Sequence, residues 1–223
     1  MILPSEGDII LLFAMDTKLL DTKHKTHYWD HLNTAAEALK RGELVAFPTE
    51  TVYGIGANAQ DSEAVSMLYD VKSRPREKEF AHLISDQEEI RDLVVNIPPH
   101  ARTLMKEFWP GPLTIIFPGP GGKDIGVRFP AHKVAQDLVR LAGVPVLATS
   151  ANISGEPPAT NAQEVLEYFG GKMGIILDGG SSTIKTPSTV IKVTRESYLM
   201  LREGAIPEEK IISCLRTTVE VNQ

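Results

Sequence analysis

STVIKVTRESYLMLR, residues 188–202, holds two strand-like runs, STVIKV (188–193) and YLMLR (198–202), separated by residues 194–197. Two parallel neighbours need a crossover of a dozen or more residues, usually a helix. The gap here is too short for one, so these runs must form a hairpin. Outward from it, the pattern changes. LVAF (44–47), FAHLI (80–84), LTIIF (113–117), IGVRF (125–129), VPVLAT (144–149) and MGIIL (173–177) read as further strands. Between them lie helical stretches: from about Asp30 to Gly42, from Asp61, near 86–94, 99–108 and 132–142, from Asn161 to Tyr168, and from Pro207 onward. Alternating helices and strands define an α/β class. With one obligatory hairpin, the sheet is expected to be mixed, parallel and antiparallel, and open, with flanking helices.

The chain has 223 residues, which suits one large α/β domain or at most two small ones. No repeat, low-complexity tract or linker interrupts it. The net charge of −6 argues against a whole-protein electrostatic grip on nucleic acid, while leaving room for a local basic cleft. One cysteine, Cys214, cannot form an intrachain disulfide, and a cytoplasmic location is the natural expectation. The apolar run Ile9–Met15 is too short to span a bilayer and is flanked by Asp8 and Asp16, so it reads as a buried strand or packing arm.

Four stretches carry candidate chemistry. FPTETVYGIGANA (47–59) ends a strand in Thr49 and Thr51 and continues into a glycine-rich turn. Its GxGxxA spacing could be a dinucleotide fingerprint, but the glycines sit well past the strand's end and no helix opens on them. A plain turn and a loop presenting hydroxyls to a ligand remain the other readings. KSRPREK (72–78) has four basic residues, and Pro75 stops any helix running into it. It is either a solvated charge run or a pinned phosphate-binding loop. In GVRFP (126–130), alternation turns Arg128 away from Val127 and Phe129, toward either a surface or a cleft. ATSANISGEPPAT (148–160) ends a buried strand in Ser150 and Asn152, where open α/β sheets bind ligands; simple capping is the alternative. Ser188 in PSTV and Arg202 in LREGA add polar positions at strand ends.

No GxxxxGK[ST], GxSxG, CxxC or HExxH motif occurs. His24, His27 and His31 read as a solvated segment rather than a metal site, and Cys214 as core.

Taken in order, FPTETVYGIGANA, KSRP with Lys78, WPGPLTIIF, VRFP, TSANISGEPPAT, PSTV and LREGA resemble the YrdC/TsaC family of threonylcarbamoyl-AMP synthases, from about residue 30 to 207. TSANISG is what separates these synthases from the related YciO group. The resemblance implies a twisted mixed sheet with a positively lined cleft, a domain over 28–215, an N-terminal extension (1–27) and a short tail (216–223). It is to the short members, without a further C-terminal domain. It implies that L-threonine, bicarbonate and ATP, with Mg²⁺, become L-threonylcarbamoyladenylate and pyrophosphate for t6A modification of tRNA. A tRNA or double-stranded RNA contact and downstream t6A transferase proteins are the implied partners, with no membrane. RNA or nucleotide binding without chemistry is the competing class.

By the same resemblance, Thr49, Thr51, Arg128 and Ser188 would bind threonine. Arg74, Lys78, Ser150, Asn152 and Arg202 would bind ATP, and Lys72 and Arg74 would be catalytic. One departure stands out. Glu79-Phe80 follows Lys78 where the family has Pro-Leu, and a carboxylate there weakens the local positive field.

Overall fold

The computed structural model describes residues 16–221. Among them the strands are β1 (Lys18–Asp21), β2 (Val45–Phe47), β3 (Gly54–Asn58), β4 (Ala81–Leu83), β5 (Leu113–Pro118), β6 (Asp124–Arg128), β7 (Val146–Ser150), β8 (Ile175–Asp178), β9 (Thr189–Val193) and β10 (Tyr198–Arg202). The helices are α1 (Tyr28–Lys40), α2 (Ser62–Val71), α3 (Ile90–Leu93), α4 (Pro99–Phe108), α5 (Lys133–Ala142), α6 (Ala162–Phe169) and α7 (Glu208–Val221). All ten strands join one sheet in the order β1-β8-β2-β3-β7-β4-β6-β5-β9-β10. Parallel pairs (β1 with β8, β4 with β6) mix with antiparallel ones (β3 with β7, β5 with β6), and β9–β10 is the expected hairpin.

Local chemistry explains the helix ends. Asp61 caps α2 by accepting from the amides of Glu63 and Ala64, and Asn161 caps α6 by accepting from that of Glu164. Pro99 opens α4, where a missing N–H is harmless, and Gly143 ends α5 at φ +60°.

Both faces of the β8-β2-β3-β7 half are covered. Val45, Phe47, Ile175 and Leu177 point to one side, against Leu32, Leu39, Leu138 and Val139 of α1 and α5. Ala46, Ile55 and Ile176 point to the other, against Leu68 of α2 and Val165 and Phe169 of α6. In the other half, α3, α4 and α7 cover one face only. Leu113, Ile115, Phe117, Val127, Ile191 and Val193 pack there with Ile90, Leu104, Met105 and Ile211.

Three expectations change. The glycine-rich turn is strand β3, and α2 starts only at Ser62, so no helix opens on the glycines and the dinucleotide geometry is absent. A Cβ on Gly56 would sit 2.9 Å from the Phe47 ring and 3.1 Å from Val146, so this glycine makes room for a buried aromatic. The segment before residue 28 contributes β1, which pairs with β8 at the sheet edge. At the other end, α7 runs past residue 215. The Ile9–Met15 run lies outside the described residues.

Gly56→Ala should therefore destabilise the fold by about 1–3 kcal/mol through overpacking, read as a lowered urea midpoint. An unchanged midpoint would remove the space-making role of this glycine.

Candidate active site

A strand with one face buried must turn its alternate residues the other way. On β5, β6 and β9 these are Thr114, Ile116, Gly126, Arg128, Val190 and Lys192, and they line a cavity of about 820 Å³ on the sheet face opposite α3, α4 and α7. Its walls come from the 48–54 loop, the 74–80 loop and the ends of β7, β9 and β10. Arg74, Lys78, Arg128, Lys192 and Arg202 bring five cationic groups to it, against Glu77, Glu79 and Asp124.

Arg128 enters from β6. Its Nη2 donates to Glu50 Oε1 (2.9 Å) and Thr51 Oγ1 (2.7 Å). Thr49 shares a hydroxyl bond with Thr51 (2.9 Å) and donates to the Val52 carbonyl (2.6 Å). Thr49 lines the cavity, whereas Thr51 is fully buried behind Arg128. Expected to contact substrate, Thr51 instead holds the guanidinium that faces it.

Arg74 follows from the chain reversal after α2, with Ser73 at φ +48°. Its Nε and Nη2 donate to the carbonyls of Lys78 and Glu79, at 2.8 and 3.0 Å, which curls the 74–80 loop around it. The guanidinium lies over the Phe80 ring, 5.2 Å from its centre, a cation–π contact that fixes its plane. Thus Phe80 of the departing Glu79-Phe80 pair is the arginine's platform. Glu79 turns to Lys123 at 3.2 Å, so its carboxylate is offset by a second cation. Lys78 lines the cavity and is exposed.

Lys72 lies elsewhere than the charge run suggested. It is 2 % exposed and does not line the cavity. Its ammonium donates to the carbonyls of Ser150 and Asn152 and to Asn152 Oδ1. Burial and the nearby Arg74 push it down to about 7. Three oxygen acceptors oppose that shift, because a neutral amine has only two N–H donors. Asn152, also away from the cavity, donates through Nδ2 to the Ile153 and Glu156 carbonyls and accepts from Ser150 Oγ at 2.7 Å. Of this turn, Ser150 is the residue that reaches the cavity. Lys72 and Asn152 brace it from behind, so direct contact with a triphosphate, expected for both, is not what this geometry presents.

Ser188 and Thr114 share a hydroxyl bond at 2.9 Å on the cavity floor. Arg202 donates to the Ser188 carbonyl from Nε (3.1 Å) and Nη2 (2.8 Å). A register shift between Met200 and Arg202 places Arg202 opposite Val190, on the cavity face that plain alternation from Met200 would have denied it. Its pKa is lowered by burial, then by Arg128 and Arg74. Arg202 thus feels both other arginines, as a shared cavity requires. Sequence reading missed Thr114, Lys192, Asp124 and Phe80. Lys192 pairs with Asp124 at 2.5 Å, and strand alternation was the available signal.

Asp124 and Glu79 are committed to lysines. Among the described residues, no group of three or more His, Cys, Asp or Glu is placed to hold a metal ion, the His24, His27 and His31 segment included.

A ten-stranded mixed α/β sheet with one bare, arginine-lined face defines the class of protein. Residues 37–204, about three quarters of the chain, match the Sua5/YciO/YrdC family model, described as "Telomere recombination". The chain belongs to the Sua5/YciO/YrdC family. The threonylcarbamoyl-AMP synthase of Pyrococcus abyssi is 42 % identical over 204 residues, covering 87 % of this chain and 60 % of that protein. The enzyme of the same name from Bacillus subtilis is 41 % identical over 187 residues, covering 79 % and 54 %. A solved structure, P. abyssi Sua5 complexed with L-threonine, superposes with a TM-score of 0.83 at 39 % identity, covering 88 % of this chain and 60 % of that one. The chain thus spans little more than half the length of these relatives.

Lys72→Met should remove the shared ammonium donor from the 150–152 turn, leaving the buried Asn152 carbonyl without its partner. The expected cost is about 1–3 kcal/mol, read as a lower urea midpoint, together with weaker nucleotide binding although residue 72 lines no part of the cavity. Unchanged stability and binding would remove the bracing role.

Proposed function

We propose that this chain makes L-threonylcarbamoyladenylate and pyrophosphate from L-threonine, bicarbonate and ATP. The observation that carries the reading is the convergence of Arg74, Arg128 and Arg202 on one cavity. The names of the P. abyssi and B. subtilis relatives, and the threonine bound to P. abyssi Sua5, support it.

The chemistry suits the site. The threonine amine combines with bicarbonate, losing water, to give a carbamate. A carbamate oxygen attacks the α-phosphorus of ATP, and pyrophosphate leaves. No enzyme nucleophile is required; the task is to align two anions and to offset their repulsion. Arg128 holds the threonine carboxylate, with Thr49 and Ser188 beside it. Arg74 and Lys78 face the triphosphate and the departing pyrophosphate, with Ser150 and Arg202 between the two ends. Lys72, Asn152 and Thr51 hold these groups in place. Mg²⁺ enters as the counterion of ATP, on the substrate. The product's use in tRNA t6A modification, contact with tRNA, and hand-over to a transferase belong to the same proposal. For location, among the described residues no helix is long and apolar enough to cross a membrane.

The test is pyrophosphate release from MgATP and bicarbonate across a panel of amino acids. Release is expected with L-threonine in preference to the others. Arg74→Ala should lower kcat/KM about 100- to 1,000-fold, the loss of about 2.7–4 kcal/mol seen when one transition-state donor is removed. RNA affinity without pyrophosphate release would replace this reading with a binding module.

A further inference from the structure

Behind Arg128 lies a carboxylate that the chemistry above does not use. Glu50 is buried, with its side chain 8 % exposed, and forms an ion pair with Arg128. Its carbonyl accepts from the Ile184 amide (2.8 Å) and from Thr183 Oγ1 (3.3 Å), which fixes the residue. Glu50 Oε2, Arg128 Nε and His132 Nδ1 are all buried without a hydrogen-bond partner. Glu50 is close enough for its charge to act on the His132 imidazole. The Arg128–Glu50 pair therefore lies in buried surroundings behind the cavity.

The other cavity arginines differ. Arg74 donates to backbone carbonyls and Arg202 to Ser188; among the described residues neither is ion-paired with a carboxylate, and nor is Lys78. Of the three arginines, Arg128 alone has its charge offset. With Nη2 committed to Glu50 and Thr51, it offers a ligand its Nη1 edge. A doubly charged group seated there would lie within a few bonds' reach of a buried negative charge, where screening is weak and like charges repel strongly. A singly charged carboxylate meets much less of that repulsion.

We propose that Glu50 is a specificity-determining residue: by offsetting Arg128 from behind, it reserves that end of the cavity for a carboxylate and directs phosphate groups to Arg74, Lys78 and Arg202. This rests on the functional reading above. It supplies the polarity that reading needs, because two anionic substrates in one cationic cavity could otherwise exchange ends.

The probes are L-threonine and its phosphonate counterpart, 1-amino-2-hydroxypropylphosphonic acid. Binding of each to the whole chain is measured by calorimetry without ATP, at mildly alkaline pH where the phosphonate carries two charges. The unaltered chain should bind threonine at least about tenfold more tightly, and threonine should displace the phosphonate. Glu50→Gln keeps an acceptor for Nη2 and loses the charge; the phosphonate should gain at least about tenfold relative to threonine. Glu50→Asp keeps the charge and should keep the preference for threonine. Equal binding of both ligands to the unaltered chain overturns the inference, and that comparison stands even where Glu50→Gln fails to fold. An unchanged ratio in a folded Glu50→Gln overturns it as well. Absence of any threonine binding overturns the functional reading and this inference together, whereas threonine binding without discrimination overturns the inference alone.

Discussion

Period-2 alternation leaves β5, β6 and β9 no choice once one face is apolar. Leu113, Ile115, Phe117, Val127, Ile191 and Val193 must be hidden, and α3, α4 and α7 hide them. The residues between are then turned together onto the opposite face, which none of the described helices covers. The site follows from that constraint. Thr114, Arg128 and Lys192 reach one cavity because each sits one step from a buried neighbour on a strand paired in register: Thr114 lies opposite Arg128, and Ile116 opposite Lys192. The core and the site are two faces of the same strands, so packing on one side sets the geometry on the other.

The second requirement is electrostatic. A chain of net charge −6 concentrates positive charge in a single concavity. Bringing Arg74, Arg128 and Arg202 into mutual range is unfavourable without a counter-charge, and the Arg202 pKa is lowered first by burial and then by the other two arginines. Internal pairs relieve it at the edges: Glu50 with Arg128, Asp124 with Lys192, Glu79 with Lys123. Among the described residues, Arg74, Lys78 and Arg202 form no ion pair with a carboxylate, and the proposed function sets the polyphosphate there. Aromatic and hydroxyl supports hold these groups still before a ligand arrives: Phe80 under Arg74 and Thr51 behind Arg128. Little reorganisation is then left for the reaction to drive.

Much of this was legible from residue order alone. The short gap between Val193 and Tyr198 forced a hairpin, and the neighbours of Arg128 set the direction of its side chain. Asp61 and Asn161 announced their helices. What stayed hidden depends on tertiary context. Gly54 and Gly56 read as a turn because glycine is a poor strand former; their use, space for the Phe47 ring, needs the β2–β3 pairing to be known. Lys72 read as part of a solvated run or a phosphate-binding loop, yet the Ser150–Asn152 backbone that claims its ammonium lies far off in sequence. Arg202 reaches the cavity through a register shift that no alternation pattern reveals. β1, four residues of mixed polarity at the sheet edge, carries too little pattern to be seen.

The central claim is that one bare sheet face seats an amino acid and a nucleotide together, at opposite ends. A crystal structure of this chain with L-threonine and a non-hydrolysable ATP analogue tests it most directly. The account predicts the threonine carboxylate on the Nη1 edge of Arg128 and the polyphosphate against Arg74 and Lys78, inside one continuous cavity. Phosphate on Arg128, or nucleotide bound away from this face, would contradict it.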